Sequence, residues 1–403
     1  GLWYTYSFFW NNADFDTGTS DGDQHYYMHG DFTVDADFGA GVGTHVTIGA
    51  WGTFGRHAIT YDGQEPFPDL MEAYLKAANL FDTPLSLTVG KQHVCYGDQV
   101  FDGGEDGFMG AKLSYGSDMF DFDLFSYRLT EGGGTALIGS WIREVPDDWD
   151  LHGLWATAKL MDGNVTVDPY AFMRMGAGPW WYFGDNKDSP IWLGLRSEGS
   201  PVEGLDYAAE FTMMMGNAEY YVGTDTNTVD YKGMHYMARL GYTPPGMPLT
   251  IGGAYVAFSG NDDSTDENEC YESPTWGPYA FGFYKDWPGF GPGHLCETGS
   301  GFSLLAPWEP MVANLNVINA NVGYSSGPLA LRADFFMYSL NKVPTDAKTA
   351  LGNEIAVMAK YTYKETITFG GTVGFLMPGE VFEEFIDDPG NMLGGYIWTA
   401  MGF

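Results

Sequence analysis

The sequence predicts an all-β fold: a transmembrane, antiparallel outer-membrane β-barrel of about eighteen strands, with short turns at one end and long loops at the other. Three observations carry this expectation. Short runs of alternating apolar and polar residues, bounded by Gly, Pro, Asn and Asp, recur along all 403 residues. The connections between them alternate between short and long to the end of the chain. Although 44% of the residues are hydrophobic and 17% aromatic, no stretch reaches the roughly 18 consecutive apolar residues of a spanning helix.

Taken in order, the first run is LWYTYSFFW (2–10), which starts directly after Gly1, so a mature, processed N-terminus is expected. HYYMHGDFTVDADF (25–38) and THVTIGAWGTFG (44–55) flank the turn GAGVG. LMEAYLKAAN (70–79) and LSLTVGKQHV (85–94) are joined by LFDTP, and FMGAKLSYG (108–116) and DFDLFSYRL (121–129) by GSDM. LWATAKL (154–160) and VTVDPYAFMRM (165–175) flank MDGN; IWLGLRSE (191–198) and LDYAAEFTMMM (205–215) follow. VDYKGMHYMARLGY (229–242) reaches PLTIGGAYVAF (248–258) across TPPGM. VANLNVINANVGY (312–324) and LALRADFFMY (329–338) flank SSGP, EIAVMAKYTY (354–363) and ITFGGTVGFL (367–376) flank KET, and GGYIWTAMGF (394–403) is last. Most lie near the 9–11 residues or so that a tilted strand needs to cross hydrocarbon, and the short connections carry turn chemistry.

The long connections include 130–151, 176–190, 216–230, 259–311 and 377–391. Gathering every long loop at one end fits short periplasmic turns and long extracellular loops, and an even strand count puts both chain ends on the turn side. The chain 1–403 is therefore read as one barrel domain, with the loop 259–311 as a gate or constriction. An open sheet edge in lipid would leave backbone groups unsatisfied, so the last strand is expected to pair with the first. Ile397, Thr399, Met401 and Phe403 form its outward face, and an alternating strand closed by Phe resembles the C-terminal signature of bacterial outer-membrane proteins.

The formal charge is −35, from 53 acidic against 18 basic residues. Such a surface repels nucleic acid, which excludes that partner, and suits solubility, high salt or divalent cations. Cys270 and Cys296 bracket a Gly/Pro/Trp-rich segment and are a candidate disulfide closing the long loop, which would place it in an oxidising compartment. Cys95 lies in a strand.

Two stretches resemble the alginate-export-type outer-membrane porins. EAYLKAANLFDTPLSLTVGKQHVCYGDQVFDGGEDGFMGAKLSYG (72–116) is similar to that family's block running from EAY through LTVGRQ and YGD to FDGARL. LGNEIAVMAKYTYKETITFGGTVGFLMPGE (351–380) is similar to a second block that ends in a Phe and a Pro-Gly pair. Lys91 stands where the family has Arg before Gln. The resemblance implies a channel in the outer membrane of a Gram-negative bacterium, with membrane lipid and lipopolysaccharide as surroundings.

If the polar faces line a lumen, the scarce cations become informative. Lys112, Lys159, Arg174, Arg196, Arg239, Arg332 and Lys360 fall on lumen faces, with Arg128 as a further candidate. Such a ladder attracts anions, and Arg grips carboxylates bidentately. Alternatively these cations pair with Glu72, Asp168, Glu198, Asp206, Glu210, Asp334 and Glu354 in a lattice that braces the wall. Trp155 and Trp192, with Tyr170, Phe172 and Tyr338, either form a stacking path for sugar rings or pack against loops. Closely spaced acids in loops make Asp262, Asp263, Asp266, Glu267, Asp14 and Asp16 candidate Ca²⁺ ligands, none at EF-hand spacing. No other cofactor is called for.

A chance G-x-S-x-G at 18–22 lacks the strand-to-helix elbow it needs, and the eight histidines form no zinc motif, so no enzyme is expected. The sequence reading is thus a porin for passive diffusion of an anionic solute, such as an alginate-like uronic-acid polysaccharide or a small carboxylate. The alternatives are a general, cation-favouring porin, and a structural barrel whose calcium-binding loops dock a surface layer or partner protein. A homo-oligomer is compatible with each.

Overall fold

The computed structural model describes residues 2–11, 23–54, 67–97, 101–102, 107–130, 135–138, 141–144, 148–176, 187–222, 225–261, 267–274, 314–344, 347–384 and 386–402. Alternation of side chains makes each run a strand with two unlike faces. The strands are β1 (Leu2–Asn11), β2 (Asp23–Gly39), β3 (Val42–Phe54), β4 (Phe67–Ala77), β5 (Leu85–Gln92), β6 (Phe108–Gly116), β7 (Phe120–Thr130), β8 (Trp149–Leu160) and β9 (Val165–Gly176). Then follow β10 (Lys187–Val202), β11 (Leu205–Val222), β12 (Asp225–Asp230 and, after a break at Tyr231, Met234–Tyr242) and β13 (Leu249–Phe258). The last five are β14 (Leu315–Ser326), β15 (Leu329–Leu340), β16 (Ala350–Tyr363), β17 (Ile367–Pro378) and β18 (Met392–Gly402).

Each strand pairs antiparallel with its neighbours in sequence, and β18 returns to β1 in register from Leu2↔Gly402 to Asn11↔Leu393. The eighteen strands therefore form one closed ring, and closure gives the edge backbone groups the partners that hydrocarbon cannot supply. Among the described residues no α-helix occurs, only single 3-10 turns such as Leu80–Asp82 and Met161–Gly163.

The two faces separate as the alternation requires. Along β15, Leu331, Phe335 and Met337 are exposed on the outside while Asp334, Phe336 and Tyr338 are buried inside. On β18, Ile397 points out at 66% exposure and its neighbours Tyr396 and Trp398 point in. This is the reverse of a soluble sandwich, in which the apolar face is the buried one.

The strand ends depart from the sequence expectation in three places. β10 and β11 extend to Lys187 and Val222, so the connection expected at 216–230 is largely strand paired with Asp225–Asp230. The loop expected at 130–151 contains a small hairpin, Thr135–Ile138 with Trp141–Glu144. β5 ends at Gln92, and the residues expected to complete it, His93 and Val94, leave the wall.

Candidate functional site

The inward faces carry an ion-pair lattice, densest between β6 and β11. Arg174 on β9 is buried, donating from Nε and Nη2 to Asp188 Oδ2 at 3.0 and 2.6 Å. Glu272 lies 3.5 Å from it. Its guanidinium sits 4.7 Å from the ring centre of Trp149 and 5.5 Å from that of Trp192. Arg196 on β10 meets Glu198 at 2.5 Å, Asp168 at 3.4 Å and Glu210 at 3.9 Å. Lys159 meets Asp121 at 2.7 Å, Lys112 lies 3.9 Å from Asp123, and Arg332 grips Asp334 through two bonds of 2.8 and 2.7 Å. Such partners are what a buried guanidinium needs, since an unpaired charge in a low-dielectric wall is costly.

The lumen does not hold every residue assigned to it. Arg128 lies on the outer face, opposite exposed Met109, and is bound to Asp150 at 2.6 Å and Asp148 at 3.0 Å. In DFDLFSYRL the polar residues switch parity halfway: Asp121 and Asp123 point inward, but so do Phe125 and Tyr127. Aromatics take the inner face there because a loop packs on them. Trp192 is wholly covered, its Nε1 donating to Glu272 O at 2.7 Å, and buried Trp155 stacks on Tyr170 at 4.8 Å. Their ring faces are thus occupied by the protein, which corrects the stacking-path expectation for these two.

That loop is 93–97. His93 N donates to Glu72 Oε1 at 2.8 Å where the chain leaves the wall. Tyr96 then stacks against Phe125 and Trp155, each at 5.2 Å, and donates to Asp123 Oδ2 at 2.8 Å. Burial, and next the charge of Asp123, pushes the Tyr96 phenol far above its ordinary range, so it remains a donor. Gly97 follows with φ +70°, a left-handed conformation that favours glycine, and lies close to the Glu210 carboxylate on β11. A second intrusion comes from the base of the long loop, where Tyr271 packs on Phe258 at 5.8 Å and on His235 at 5.4 Å.

Two lumen cavities, of about 580 and 470 Å³, lie toward the turn end. One is lined by Lys76, Asp121, Asp123 and Tyr96. The other is lined by Arg239, Arg332, Asn319, Asn321, Glu198 and Asp206. Lys76 was overlooked in the sequence, although its parity with Glu72 could have found it. Lys360 on β16 also faces inward, opposite in parity to exposed Val357 and Tyr361. Elsewhere the wall is acidic: His29 contacts Asp31 at 2.6 Å, His45 contacts Asp35 at 2.7 Å and Glu72 at 3.2 Å, and Tyr338 donates to Glu354 at 3.1 Å.

The family profile described as alginate export matches residues 1–269. The chain belongs to the alginate export family. None of the curated proteins matches it. Among solved structures it is similar to OccAB1 of Acinetobacter baumannii, at 10% identity and a TM-score of 0.60, covering 99% of this chain and 94% of that one. It is also similar to OccAB3 of Acinetobacter baumannii (12% identity, TM-score 0.55, 100% and 98% covered). OccK11 (OpdR) of Pseudomonas aeruginosa is a third (13%, 0.53, 99% and 94%). At such identities the likeness is one of fold.

This alginate export family member is an outer-membrane barrel of the porin and channel kind, located in the bacterial outer membrane. Its short turns accordingly face the periplasm and its long loops the exterior. Of the candidate calcium ligands, Glu267 accepts a hydrogen bond from Lys232, while Asp14, Asp16, Asp262, Asp263 and Asp266 lie outside the described residues. Among the described residues no group of three or more His, Cys, Asp or Glu is placed to hold a metal. Cys270 stands half-buried at the base of the long loop, and Cys296 lies outside the described residues, as does most of the expected gate, 275–311.

Proposed function

We infer that the barrel is a passive diffusion channel for small polar solutes and that its lumen favours cations over anions. One observation carries this reading: the guanidiniums of Arg174, Arg196 and Arg332 are each held by carboxylates, while the wall of β2, β4 and β16 adds Asp31, Asp35, Glu72 and Glu354. Charges lining a pore of low-dielectric walls set ion preference through their net sign. The test is a planar-bilayer recording under a potassium chloride gradient. The expected reversal potential has the sign of potassium preference and shrinks at high salt. Chloride preference would overturn the reading.

A second reading keeps the anionic solute, an alginate-like uronic acid or a small carboxylate. It is favoured by the cavity in which Arg239 and Arg332 stand beside the amides of Asn319 and Asn321, since guanidiniums suit carboxylates and amides suit hydroxyls. On this reading glucuronate blocks chloride or potassium current at low concentration, and Arg239→Gln removes the block without changing the open conductance by more than about twofold.

A further inference from the structure

At the periplasmic end, six consecutive turns, from β2–β3 to β12–β13, display exposed apolar side chains: Phe38, Phe81, Met119, Met161, Val202 and Met247. Phe81 is 89% exposed and Met119 77%. In the first five turns the adjoining residue is an exposed acid: Asp37, Asp82, Asp118, Asp162 and Glu203. Aspartate alone would be ordinary turn chemistry. The apolar tips are not, because gathered, exposed, large apolar side chains mark contact surfaces. Phe81 and Met161 moreover hold left-handed backbone, with φ of 57° and 52°. That conformation disfavours bulky side chains and signals a constraint other than folding economy.

The pattern is confined to one arc of the rim. The β14–β15 turn carries Ser326 and Gly327, and the β16–β17 turn carries Lys364 and Glu365. Successive periplasmic turns are two strands apart, about 10 Å, so the arc is a row of evenly spaced apolar knobs, most beside a negative charge. A lipid headgroup layer would accept the knobs, but its anionic members would be repelled by the acids beside them. A protein face with apolar pockets ringed by Lys and Arg matches both features.

We propose that this arc is a docking rim for a water-soluble periplasmic protein whose contact face combines apolar pockets with basic residues. The test uses the full barrel in nanodiscs of zwitterionic lipid, with an amphipathic leucine/lysine peptide as the probe and empty discs as the blank. The peptide is expected to bind above the blank and to bind more weakly in high salt. Its affinity should fall about tenfold for the triple variant Phe81→Ser/Met119→Ser/Met161→Ser, and comparably for Asp82→Asn/Asp118→Asn/Asp162→Asn. These side chains lie at exposed tips, so the barrel is expected to keep its heat-modifiable gel mobility and its conductance. Equal binding by wild type and either variant overturns the proposal, as does equal binding of a leucine/glutamate peptide. Quenching of a Phe81→Trp reporter by bromine-labelled lipid would also overturn it, because the tips would then sit in the membrane.

Discussion

Arg174 shows what one residue contributes when its surroundings are dry. It is buried with Asp188 between two indoles, and Tyr231 also donates to Asp188, at 2.8 Å. Arg174→Met is expected to cost about 3–5 kcal/mol, because it strands a buried carboxylate. Adding Asp188→Leu should recover much of that loss, and urea unfolding followed by tryptophan fluorescence would check both. The period-two pattern placed Arg174 on the inner face, as it did Lys112, Lys159, Arg196, Arg239, Arg332 and Lys360. The partners of Arg196 and Arg332 are among the acids that the same pattern puts on inner faces, whereas those of Arg174 were not legible, since Asp188 and Glu272 come from other segments of the chain. Arg128 was misread because alternation reports a face only while one face stays consistently polar, and β7 abandons that at Phe125.

Among the elements, the inward segment 93–97 decides most about the pore. Its sequence, HVCYG, reads as a continuation of a strand, and nothing local says that it turns into the barrel. What draws it in is long-range: the aromatic inner faces of β7 and β8, and the carboxylate of Asp123. Cys95 within it is exposed, which gives a direct handle. A bulky methanethiosulfonate reagent is expected to lower single-channel conductance, and Cys95→Ser should abolish the effect. Unchanged conductance after complete labelling would mean that the solute path avoids this segment.

For the molecule as a whole, the closed ring converts a local two-residue period into a membrane-compatible solid. Ile397, exposed near the middle of β18, tests that directly. Ile397→Lys is expected to destabilise the barrel by about 2–4 kcal/mol in lipid vesicles, as a charge on the hydrocarbon-facing side should. In detergent, where water reaches the surface more readily, the loss should be smaller. Equal effects in both media would indicate that this face is not in lipid.

By itself the sequence determined the strands, their order, their two faces and the closure of the ring, because each follows from a short period and from turn residues read locally. Only the tertiary structure decided that Arg174 meets Asp188 and Glu272, which aromatics are packed away, and which loop bends inward. Those outcomes depend on contacts between residues far apart in the chain, and no local period records them.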